Sequence, residues 1–89
     1  MIPDHLTDDA SAQLSPMGLS IYDPPSRQVI RLGPVDGPAP TYAVIGLGPM
    51  FVHVEVAWNR DDACTIVEEL MPHPSVTQVT TLTIADRRG

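Results

Sequence analysis

The sequence predicts an α+β fold: a mostly antiparallel sheet of about five strands, two hairpins followed by strand–helix–strand, with one main helix packed on one face. Three observations carry that prediction. From Val52 to Trp58 the apolar residues take every second position (Val52, Val54, Val56, Trp58), the period of a half-buried strand. After Asn59 the period changes, and Ala63, Ile66, Val67 and Leu70 fall on one stripe of a helix. A β-branched run over residues 76–85 then restores strand character.

Taken in order, residues 1–16 read as an acidic N-terminal arm or a short helix. Leu6, Ala10 and Leu14 recur every fourth position, and Thr7 can cap a helix whose first turn holds Asp8 and Asp9. A loosely ordered arm accounts for the same residues equally well. Pro16 ends the segment. Residues 17–86 form a single α+β domain, and residues 87–89 a polar tail.

Within the domain, Met17, Leu19 and Ile21 alternate with Gly18, Ser20 and Tyr22 as a first strand. Asp23-Pro24-Pro25-Ser26 turns the chain, and residues 27–32 return as the second strand of a hairpin. Residues 33–40 hold three prolines and two glycines, which forbid a regular ladder. Residues 42–47 and 50–58 make the second hairpin. Asn59 then stands as an N-cap with Asp61 and Asp62 in the first helical turn, where acids suit the helix dipole. Glu68 and Glu69 oppose the dipole at the other end, an effect His73 can soften. The expected core is Leu19, Ile21, Ile30, Val44, Val52, Val54, Val56, Trp58, Ile66, Val67, Leu70, Leu82 and Ile84.

Composition bounds the function. A chain of 89 residues supports one modest core. With one cysteine there is no internal disulfide, which fits a reducing compartment. No apolar run has the length of a membrane span, and the N-terminus lacks a signal-peptide pattern. A cytoplasmic protein is expected, or a virion component if a phage encodes it. Eleven acids against five arginines, a net charge of −6, argue against nucleic acid as partner. The chain has no lysine, one phenylalanine and one asparagine, which fits a GC-rich source such as an actinobacterium or its phage.

Candidate chemical sites are weighed against plainer readings. His53 and Glu55 share one face of a strand and can supply two metal ligands or an acid–base pair. Further ligands from His5, Cys64 or His73 stand at no diagnostic spacing, so an ordinary polar surface pair is the preferred reading. Gly46-Leu47-Gly48 leads through Pro49 into a strand rather than a helix, so a turn or β-bulge is expected and not a phosphate loop. Cys64 reads as a small buried hydrophobe rather than a nucleophile. No catalytic residue, cofactor site or metal site is expected.

What remains is protein contact. Residues 76–85 pass without a charge or a proline, devices that usually blunt an exposed strand edge. Either this run inserts between other strands of its own sheet or a second chain covers it at the sheet edge; the edge is preferred, pairing with a second copy through Thr77, Val79, Thr81 and Thr83. Glu68 and Glu69 are ordinary solvated acids or an acidic contact for a basic partner. The expected function is a non-catalytic interaction or assembly protein, self-associating or part of a larger complex. An acidic inhibitor or regulator bound to a basic site on another protein is the alternative, and a small enzyme the third.

Overall fold

The computed structural model describes residues 5–88. Six strands and one helix follow in the order β1 (Ser11–Ser15), β2 (Gly18–Asp23), β3 (Gln28–Arg31), β4 (Tyr42–Gly48), β5 (Phe51–Ala57), α1 (Arg60–Leu70) and β6 (Gln78–Asp86). The fold is α+β, but its sheet is mixed and six-stranded, in the order β3-β2-β1-β6-β4-β5. Both hairpins form as expected, with Ile21 opposite Ile30 and Ile45 opposite Val54.

The additional strand is β1, where an arm or a helix was expected. Ala12 and Leu14 are buried while Ser11 and Gln13 are exposed, a strand alternation. The spacing of Leu6, Ala10 and Leu14 was ambiguous because four residues is two strand periods as well as nearly one helical turn. Thr7 caps no helix; residues 8 and 9 form a turn closed by the Ala10 amide on the Thr7 carbonyl at 3.2 Å. Met1 to residue 4 of the expected arm lie outside the described residues.

Strand β6 lies inside the sheet, which corrects the expected edge position. Residues 78–83 pair antiparallel with β4, and residues 84–86 pair parallel with β1. It changes partners midway and so forms the corner at which the sheet curls. The curl brings the apolar face of β1 and β2 (Ala12, Leu14, Leu19, Ile21) against that of β4 and β6 (Ala43, Ile45, Leu47, Ile84). Val52, Val54 and Val56 of β5 pack at the margin of this interior, half-buried.

Helix α1 covers the opposite face. Ala63, Ile66 and Leu70 pack on Val44 and Ala57. Strand β4 is therefore enclosed on both faces, and its residues from Ala43 to Gly48 are all buried. Trp58 departs from the expected core: it is 48% exposed, and its indole N–H donates to the Pro38 carbonyl at 3.0 Å. The alternation that placed it inside ends at Ala57, where β5 stops. Two glycines are fixed by close approach. A Cβ on Gly48 would sit 1.8 Å from the Ser75 carbonyl oxygen, and one on Gly18 (φ +136°) 2.0 Å from that of Leu32.

Candidate functional site

An apolar groove lies along α1 and β6. The helix start is capped: the Asn59 side chain accepts from the Asp62 amide at 2.9 Å and donates to the Asp62 carboxylate at 3.1 Å, as the capping pattern predicts. Burial of the apolar stripe sets the rotation of α1, so that Ala63, Ile66 and Leu70 face the sheet. Val67 and Cys64 then lie on the flank toward β6. With Tyr42, Thr81, Arg60 and Glu68 they line this groove of about 430 Å³. A smaller hollow of about 220 Å³ continues past Val67 and Met71 over Thr77 and Val79.

Most of the residues expected to touch a partner converge here. Val79 and Thr81 on one face of β6, and Thr77 one residue before it, line the two hollows, and Glu68 lines the larger of them. Thr83 continues the same face and is exposed. Glu69 is exposed on α1 and lines neither hollow. The backbone of residues 78–83 is already paired with β4, so these residues present side chains rather than an open ladder. The open ladder expected at residues 76–85 is absent because the place of β6 in the sheet depends on β1, which local periodicity did not reveal.

Other candidates resolve differently. His53 Nε2 lies 2.9 Å from Glu55 Oε1 on the face of β5 beside α1, both side chains partly exposed. His73 is not with them as a ligand; its ring stacks on Phe51 with centroids 4.7 Å apart, and its Nδ1 accepts from the Ser75 amide at 3.1 Å. Among the described residues no group of three or more His, Cys, Asp or Glu side chains is placed to hold a metal ion. Gly46 and Gly48 pair in register with His53 and Phe51, so the expected turn or bulge is regular strand, and the turn falls on Pro49 and Met50. Cys64 is exposed rather than buried, since it lies one residue beyond the buried stripe, on the groove wall. No helix among the described residues is long and apolar enough to cross a membrane.

One buried carboxylate was not anticipated. Asp23 is fully enclosed at the end of β2 by its own partners: the Ser26 hydroxyl at 2.7 Å, the Thr7 hydroxyl and the Thr7 amide at 3.1 Å. The Ser26 bond above all, then the Thr7 hydroxyl, hold its carboxyl below the ordinary value; desolvation opposes them and is outweighed. Asp23 ties the N-terminal segment to the β2–β3 turn. Asp86 is likewise lowered, first by the Arg88 amide. Comparison with protein families, with curated proteins and with solved structures finds no match to this chain.

Proposed function

We propose that this chain is a non-catalytic interaction protein, a subunit of an assembly that grips a protein segment in the groove between α1 and β6. The observation that carries the reading is the groove itself. Tyr42, Val67 and Thr81 leave an apolar trough open beside a well-packed helix, in a molecule whose main core is enclosed elsewhere. Its lining is mostly apolar, with Arg60 and Glu68 as its charged side chains, a composition that suits a contact surface. The lysine-free composition supports an actinobacterial or phage source for such a subunit.

A photo-crosslinking residue at Thr81, introduced in cells of the native host, tests this. The expected result is a discrete polypeptide adduct absent when the same probe stands at Gln13, on the open polar face of β1. Equal labelling at both positions, or none at Thr81, would reject the groove as a contact. An adduct at twice 9.6 kDa identifies a second copy, and any other discrete mass a foreign protein.

A second reading keeps a specific support. Asp61, Asp62, Glu68 and Glu69 are all exposed on α1, which carries Arg60 as its one basic residue. An acidic helix of this kind suits a basic site on another protein, the inhibitor or regulator class. A strongly basic adduct partner, lost on Glu68→Gln with Glu69→Gln, would favour it.

A further inference from the structure

The two ends of the sheet differ in how they meet solvent. Strand β3 has four residues, is bracketed by Pro24, Pro25 and Pro34, and carries Arg31, devices that discourage addition of another strand. Strand β5 is the other end. It has seven residues without proline, lysine or arginine, carries Glu55 as its one acid beside His53, is paired with β4 on one side, and has no strand on its outer side among the described residues. Its side chains alternate between two faces. Phe51, His53, Glu55 and Ala57 stand on the face of α1, and Val52, Val54 and Val56 on the face of the curled interior.

We propose that two copies of this chain join edge to edge through β5, antiparallel about a two-fold axis at Val54, so that the two sheets run on as one. The inference rests on the assembly reading above and supplies the contact by which the chain would self-associate. The occupant follows from the strand's own pattern. When identical antiparallel strands continue one sheet, the two-fold stands normal to it, and directly opposed residues share a face. Their numbers must then sum to an even value, which leaves three centred registers: His53, Val54 or Glu55.

Centring on Glu55 sets two carboxylates directly opposite, a repulsive pair. Centring on His53 opposes two imidazoles and brings Pro49 and Met50 of the turn against residues 57 and 56. Centring on Val54 pairs all seven residues. His53 of each copy then faces Glu55 of the other, Val52 faces Val56, and Val54 faces itself. The His53–Glu55 pair already formed within each strand at 2.9 Å would become one side of a four-membered cluster with alternating imidazole and carboxylate. On the other face the valines continue the apolar interior. Net charge of −6 on each copy opposes association, and the crossed pairs offset part of that cost at the contact. The sequence is thus complementary to itself in one register, which a strand evolved for a foreign partner has no reason to be.

Cysteine pairing and sedimentation equilibrium test the register. In a Cys64→Ser background, Val54→Cys should oxidise to a disulfide-linked dimer, because opposed residues place their Cα atoms about 4.5–5.5 Å apart, within disulfide reach. Val56→Cys should stay unlinked, its counterpart lying about 14 Å along the strand. His53→Glu should weaken the dimer about tenfold by setting two acids opposite each other at both ends. Adding Glu55→His should restore it, since the exchanged pair is again complementary; circular dichroism confirms that each variant is folded. A Val54→Cys protein that remains unlinked, or a dimer indifferent to His53→Glu, would overturn pairing through β5. If the Thr81 adduct still forms in that case, the interaction reading stands without this edge.

Discussion

Asp23 illustrates how much of this fold depends on single polar residues placed at the ends of elements. Its carboxylate receives two hydroxyls and an amide, from Ser26 and Thr7, and so anchors a segment that has no ladder of its own. The consequence for acid stability has a definite sign. Because its native value lies below the unfolded value of about 3.9, the folded chain binds fewer protons than the unfolded chain between those limits. Its contribution is complete above that unfolded value and is lost as pH falls through the lower native one. Melting temperature should therefore drop as the solution is acidified below about pH 4. Asp23→Asn should lower the melting temperature at neutral pH and flatten the acid slope. An unchanged slope would assign acid sensitivity to other carboxylates, Asp86 first, which is shifted in the same direction.

At the scale of elements, α1 was the part most plainly written in the sequence. A cap, two first-turn acids and an apolar stripe all agreed, and each is local. The rotation of the stripe is finer than its existence: Ala63, Ile66 and Leu70 are buried, while Val67 is half-buried on the groove side. The two central residues should then respond differently to charge. Ile66→Asp buries an unpaired carboxylate and should unfold a domain whose whole stability is about 5 kcal/mol. Val67→Asp can turn its carboxylate into the groove and should cost about 1–2 kcal/mol, leaving a cooperative melt. Equal loss in both variants would mean that the groove is closed in solution. The same limit explains β6. Its existence was legible from ten residues of uncharged, largely β-branched sequence, but its place in the sheet was set by β1, whose five residues carry only Ala12 and Leu14 as core side chains. A short strand with one large apolar residue gives too little periodic signal to be told from an arm.

At the scale of the whole molecule, the curl of the sheet leaves an opening that regular pairing does not close. Leu6 fills it: the side chain is 2% exposed and packs with Leu14, Leu19 and Leu47 in the larger core. The segment that delivers it is held by a side chain acting as a short stretch of strand. Gln78 Nε2 donates to the Leu6 carbonyl and its Oε1 accepts from the Leu6 amide, both at 2.9 Å. Arg88 does similar work at the far end, donating to the carbonyls of Val35 and Gly37 at 3.0 and 2.9 Å, so the expected polar tail is joined to the loop before β4. These long-range clamps were not legible because nothing in the local sequence marks a glutamine or an arginine that completes a distant backbone. Gln78 separates the clamp from the core it serves. Gln78→Ala removes both bonds and leaves a partly buried amide and carbonyl without partners, which should cost about 1–3 kcal/mol. Gln78→Glu keeps the acceptor for the Leu6 amide but turns an oxygen toward the Leu6 carbonyl, so it should be no better than alanine despite its matching shape. In both variants the Leu6 amide should exchange with solvent faster than the amides of β4, because the segment can lift locally while the sheet stays paired. Leu6 exchange as slow as in the parent chain would show that burial of the side chain alone holds the segment, and that the amide clamp contributes nothing beyond it.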